Sequence, residues 1–147
     1  MIYMLDTSTC IYIIKNRPSE VLRKIKKFSP SALVISAVTV CELEYGASKS
    51  SDPERNRQTL MKFLVQFEIC RFNGQAAYHY GSIRAYLERS GFSIGAMDLA
   101  IAAHARSLSL TLVTNSPKEF EGVPGLRTEN WSKSASSSSS EEKSPAS

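Results

Sequence analysis

Four apolar residues, Ile2 to Leu5, run without alternation and break off at Asp6-Thr7-Ser8. So short a run, apolar at every position, suits a strand covered on both faces, the state of strands inside a parallel sheet. A second such run is Leu33-Val34-Ile35; Ile69 to Phe72 suits a third, shorter strand, Leu110 to Thr114 is a β-type run, and Leu126 to Glu129 has the look of an edge strand. Asp6 falls where the first strand ends. In an open α/β sheet, ligands bind in the crevice outside the carboxyl ends of the strands, so an acid there faces a site. Equally, Asp6 suits the cap of a helix starting near Ser8.

Helical patterns fill the intervals. Thr9 to Lys15 is apolar-rich; Ser19 opens a second helix with Val21, Leu22, Ile25 and Phe28 on one face. Arg23, Lys24, Lys26 and Lys27 form the other face, a solvated surface or an RNA contact. Ser36 or Thr39 caps the next helix, which ends near Gly46. Asp52-Pro53 pairs a cap with proline at the first helical position. Leu60, Phe63, Leu64 and Phe67 mark one amphipathic helix. Another runs from about Gln75 to Gly91, its stop, and Arg84 is its basic residue best placed to face a site, or to form a simple ion pair. Strands alternating with helices give an α/β fold, one domain over 1–131 with a mostly parallel sheet of about four to five strands. Residues 132–147 are serine-rich with nothing to build a core, and read as a disordered tail or an artificial appendage.

At 147 residues and 42% hydrophobic content the chain is long enough for one substantial core. No apolar run reaches the roughly 20 residues that cross a bilayer, and the N-terminus has no signal-peptide pattern. Cys10, Cys41 and Cys70 make neither a CxxC spacing nor an even set, which argues against a zinc site or disulfide framework and fits a reducing cytoplasm. Net charge is +4, so an acidic site on this mildly basic chain suits a polyanionic substrate met through metal ions.

Three acids mark that site. Asp6 follows the first strand, and Glu42 lies in the first or second turn of the helix after the second. Asp98 heads the row Asp98, Ile101, Ala102, Ala105 on the helix before the Leu110–Thr114 strand. Each has a local alternative: Thr39-Val40-Cys41-Glu42 fits a capping box, and an acid in a first turn complements the helix dipole. Ser116, Pro117 and Glu119 fit another capping box. A parallel sheet nevertheless gathers strand ends on one side, bringing Thr7, Ser8, Asn115 and Ser116 toward the acids. Oxygen-only donors select Mg²⁺ or Mn²⁺ over zinc or copper, and phosphodiester hydrolysis is the chemistry such ions serve.

These pieces together resemble the PIN-domain ribonucleases, specifically the VapC-type toxins of bacterial toxin–antitoxin pairs. The matching stretches are Leu5-Asp6-Thr7-Ser8, Ser36 to Leu43 with Tyr45-Gly46, Gly95 to Ala105, and Leu112-Val113-Thr114-Asn115 followed by Glu119-Phe120. The resemblance covers about Met1 to Trp131 and implies strand one in the middle of the sheet. It implies Asp6, Glu42 and Asp98 as metal-binding and catalytic residues for Mg²⁺ or Mn²⁺. Thr7, Ser8, Arg84, Thr114, Asn115, Ser116 and Glu119 would support them or touch substrate. It further implies endoribonuclease activity on single-stranded RNA, initiator tRNA being a candidate, a homodimer, and a cognate VapB-type antitoxin. Many PIN domains carry a fourth Asp or Asn where this chain has Ser116, a poorer ligand, unless Glu119 or water substitutes. His104 lies one turn too far along its helix to bind the metal, and core packing accounts for it. Two rivals are a phosphohydrolase of small substrates, which the missing glycine-rich loop and Asp-x-Asp motif oppose, and a non-catalytic RNA- or protein-binding PIN-like module.

Overall fold

A computed structural model describes residues 1–16 and 19–132. The serine-rich tail from 133 onward lies outside the described residues, as do the side chains of Ser19, Val21 and Leu22. Five parallel strands form one sheet: β1 (Tyr3–Leu5), β2 (Leu33–Ser36), β3 (Glu68–Cys70), β4 (Thr111–Val113) and β5 (Thr128–Glu129). Their order is β3-β2-β1-β4-β5, which puts the first strand in the centre. β3 begins earlier than the apolar run Ile69 to Phe72 implied, because its register pairs Glu68 with Val34 and Cys70 with Ser36. β5 is shorter than Leu126 to Glu129; only Thr128 and Glu129 pair with Leu112 and Val113.

The helices are α1 (Thr7–Asn16), α2 (Ser19–Lys26), α3 (Ala37–Ser48), α4 (Pro53–Leu64), α5 (Gly74–Ser90) and α6 (Ala96–Ser107). Alternate residues of the central strands enter opposite cores. Met4, Val34 and Leu112 pack with Ile83 and Leu87 of α5 and with Ile101, Ala102 and Ala105 of α6. Leu5, Ile35 and Val113 pack with Cys10 of α1, Leu43 of α3, and Leu60 and Phe63 of α4. The result is three layers, which explains why Ile2 to Leu5 and Leu33 to Ile35 read apolar at every position. Burying each large side chain contributes about 1.5–3 kcal/mol relative to leaving it in water. Trp131 closes the second core, stacked 5.6 Å from Phe28 and edge-on to Tyr3 at 5.0 Å. On α2, Arg23 and Lys26 are exposed, as is Lys27 just beyond the helix, while Lys24 is half-buried with Nζ 5.9 Å from the centre of the Trp131 ring.

Local signals held where the chain supplies both partners. Asp52 caps α4 by accepting from the Arg55 N–H, and Pro53 occupies the first turn. Gly91 ends α5 in the left-handed region (φ 77°), its N–H on the Glu88 carbonyl and that of Phe92 on Leu87. α6 differs from its sequence pattern: Leu99, Ala103 and His104 are buried as well as Ile101, Ala102 and Ala105, so the helix is covered nearly all round. The loop from Phe92 into α6 is braced at Gly122, where a Cβ would stand 2.6 Å from the Phe92 ring. Gly122→Ala should therefore displace that ring and cost about 1–3 kcal/mol, read as a lower urea midpoint at unchanged slope.

Candidate active site

The strand order reverses between β1 and β4, which connect onward to opposite edges of the sheet. At such a switch point the loops leaving the two strands part and open a crevice. The Asp6 N–H donates to the Val113 carbonyl at 2.9 Å, so the first residue beyond β1 is fastened to the end of β4. Asp6 is 3% exposed. Its Oδ1 accepts from the Thr9 N–H at 2.8 Å, capping α1, and from the Ser8 hydroxyl at 2.9 Å. Capping and facing the site are thus one arrangement rather than alternatives. Burial pushes the Asp6 carboxyl upward, while the Thr114 hydroxyl, the Thr9 N–H and the Ser8 hydroxyl pull it back.

Ser8 passes this order on. Its Oγ accepts from the Asn115 N–H at 3.1 Å while donating to Asp6, and Thr114 Oγ1 accepts from the Ser116 N–H at 3.0 Å. The hydroxyls expected near the acids therefore sit behind Asp6 and orient it. Asn115 Oδ1 is buried without a hydrogen-bond partner among the described residues. An orphan acceptor in such surroundings suits a water or cation ligand.

Glu42 lies in the second turn of α3, where its Oε1 accepts from the Thr7 hydroxyl, at the first residue of α1. The capping box built on Thr39 and Glu42 does not form. Ser36 caps α3 instead, accepting from the Val38 N–H at 3.0 Å, and the buried Thr39 hydroxyl has no partner among the described residues. The second box fails likewise. Ser116 starts a 3₁₀ turn over Pro117–Phe120 but makes no side-chain cap bond. Glu119 turns to Asp98.

Asp98 occupies the first turn of α6, whose N-terminus has Gly95 and no side-chain cap. Its carboxyl is pushed up to about 6, first by desolvation, then by its hydrogen bond to Glu119 and by the charges of Glu119, Glu42 and Asp6. Acids from the end of β1, from α3, from α6 and from the turn after β4 thus share one electrostatic environment. Among the described residues no three of them close into a ready-made metal cage. Charge is felt over several ångströms, whereas coordination needs about 2.1 Å, so the acids repel one another without enclosing a site. All-oxygen donors, an unpaired amide oxygen and mutually repelling carboxylates fit a hard divalent cation that keeps several waters. Arg84 of α5 makes its bonds outside this group: its Nε donates to Glu88 Oε2 at 3.0 Å and its Nη1 to the Tyr80 hydroxyl at 3.1 Å.

Behind the acids is a pair that the sequence reading missed. His104 Nδ1 lies 2.7 Å from Ser36 Oγ, both fully buried, and Phe72 meets the imidazole edge-on at 5.3 Å. The ring also bonds the Arg71 backbone, and burial holds His104 below its ordinary value. Nδ1 is then left to accept the Ser36 proton, while Ser36 Oγ still caps α3. No spacing rule links position 36 to position 104; only the crossing of α6 behind β2 does.

The family of PIN domains matches residues 3–125. The chain is 46% identical over 129 residues to the tRNA(fMet)-specific endonuclease VapC of Salmonella typhimurium, covering 88% of this chain and 97% of that one. It is 47% identical over 129 residues to Ribonuclease VapC2 of Haemophilus influenzae, with the same coverage. This chain is a PIN-domain ribonuclease of the VapC type. Among solved structures, the DNA-bound VapBC complex of Salmonella typhimurium superposes with a TM-score of 0.86 at 44% identity, over 89% of this chain and 98% of that one. VapBC2 of Rickettsia felis bound to a promoter DNA fragment gives 0.83 at 40% identity, over 89% and 99%. VapC nucleases of the PIN domain are metal-dependent as a class. No helix among the described residues is long and apolar enough to cross a membrane.

Two outcomes follow from this geometry. Asp98→Asn removes a strained charge while an amide still donates to Glu119, so the metal-free variant should melt several degrees above wild type at pH 7.5. For His104, the folded value lies below the 6.5 of the unfolded chain. The unfolded state then binds the proton more readily, so the stability it lends is present above about pH 6.5 and lost as pH falls. The melting-temperature gap between wild type and His104→Gln should narrow from pH 7.5 to pH 5.

Proposed function

We propose that this VapC-type ribonuclease cuts single-stranded RNA by phosphodiester hydrolysis, with Asp6, Glu42 and Asp98 holding Mg²⁺, or Mn²⁺ in its place. The observation that carries the reading is the raised Asp98 carboxyl beside three further acids, a costly arrangement unless positive charge enters. When bound, the cation supplies a polarised water and neutralises charge at the phosphorus. The chain's own residues do the positioning. Ser8, Thr9 and Thr114 fix Asp6, and Thr7 fixes Glu42. Glu119, hydrogen-bonded to Asp98, serves as the fourth acid that Ser116 does not provide. That placement supports a working site over the rival reading of a non-catalytic module, for which Ser116 is the argument.

The relatives named tRNA(fMet)-specific endonucleases make initiator tRNA the substrate to test first. The VapBC neighbours make a VapB-type antitoxin the expected partner. A cleft of about 530 Å³ suits its docking segment: Ile11, Ile14, Leu43 and Leu60 line it, and Thr7 and Glu42 border it. An apolar helix laid there would bring a basic side chain within reach of the carboxylates.

Purified protein incubated with total tRNA should cut in Mg²⁺ and not in EDTA. Asp6→Asn and Asp98→Asn should each lower the rate by more than the roughly 10–100-fold typical of groups that only support a metal ligand. Two variants that cut as fast as wild type would overturn the assignment. Wild type should gain melting temperature with added Mn²⁺ and Asp98→Asn should gain less, because only the native site binds the ion.

A further inference from the structure

We infer that a separate pocket beside the acids binds one unpaired base of the RNA, next to the bond that is cut; this deepens the ribonuclease reading above and rests on it. The pocket, about 290 Å³, opens between the second half of α5 and the start of α6. Ala96 and Leu99 line it, and Asp98 lies between them in sequence on the same first turn of α6. The three residues lie within one helical turn, about 5.4 Å of rise, but point to different sides of it, so an RNA with its phosphate at the acids would bring a neighbouring nucleotide around the start of α6 to the pocket.

The lining suits a base better than a phosphate. Leu87, Leu99 and Phe92 give an apolar and aromatic floor, while Tyr80, Arg84 and Glu88 form a polar rim. Arg84 is already paired with Glu88 at 3.0 Å, so the rim is close to neutral and offers a phosphate little net attraction. The same pair, with the Tyr80 hydroxyl 3.1 Å from Nη1, engages one side of the guanidinium. Guanidinium planes and aromatic rings such as those of Arg84 and Phe92 are surfaces on which unpaired bases stack. Two of its five N–H groups are engaged, leaving donors beside the Glu88 carboxylate acceptor. Donor beside acceptor complements a base edge that sets an acceptor next to a donor, and the order of the two along the edge distinguishes one base from another. The floor is firm, because the Phe92 ring lies against Gly122 with no room for even a methyl group between them.

Binding is measured without cutting: fluorescence anisotropy of the full chain with short single-stranded RNAs in EDTA, each differing in one base at one position. At a single position the best-bound base should bind about tenfold more tightly than the worst, the usual worth of one good paired contact to a base edge. Arg84→Ala and Glu88→Gln should each erase that preference. Both side chains are more than half exposed, 56% and 68%, so the fold survives their replacement, checked by an unchanged melting temperature. Arg57→Ala, at an exposed ion pair on α4, should leave the preference intact. Uniform binding of all four bases, or a preference that outlasts both substitutions, overturns the pocket. A preference without any cleavage in Mg²⁺ supports the pocket and overturns the ribonuclease reading; cleavage with uniform binding does the reverse.

Discussion

Charge is concentrated at one edge of this sheet, and the rest of the molecule is arranged to hold it there. Asp6 is almost wholly buried at the end of the central strand, where desolvation disfavours its charged form. The donors of Thr9, Ser8 and Thr114 offset that cost, and they come from the two segments that part at the switch point. Asp98 has fewer such donors and closer like charges, and its carboxyl shows the consequence by rising to about 6. One acid is held by hydrogen bonds and the other is left beside like charges. Their environments differ although their chemistry is the same.

The scaffold tolerates this repulsion because each acid stands on an element anchored elsewhere. α6 is covered on nearly every side, and α3 is fixed at its start by Ser36. Through His104, Ser36 also ties α3 to α6, so a single buried hydrogen bond joins the helices that carry Glu42 and Asp98. Burying polar groups this deeply is stabilising only when all are satisfied. Here the Arg71 backbone, the imidazole, the Ser36 hydroxyl and the Val38 N–H complete one another. The chemistry of the upper edge and the packing beneath it are one construction.

Where a feature needed only neighbouring residues, it was legible before any coordinates. The short apolar runs named the strands, Asp52-Pro53 started α4, and Gly91 ended α5 with the left-handed backbone that glycine tolerates. That Asp6, Glu42 and Asp98 come near enough to act on one another was legible too, since each lies just beyond a strand or early in a helix of a fold that gathers strand ends. The failures share a cause. Thr39 with Glu42, and Ser116 with Glu119, both fit capping boxes, yet each glutamate found a partner distant in sequence that a local pattern cannot weigh.

The order of residue types therefore determined the layers, the parallel sheet and which acids end near its carboxyl edge, because strand period and helix capping act over a few neighbouring residues. Tertiary structure alone decided that Glu42 answers to Thr7, that Glu119 stands beside Asp98, and that His104 reaches Ser36. Those contacts join segments separated by up to 68 positions in the chain. They depend on how whole elements cross once the cores have formed, and no spacing along the polypeptide encodes that crossing.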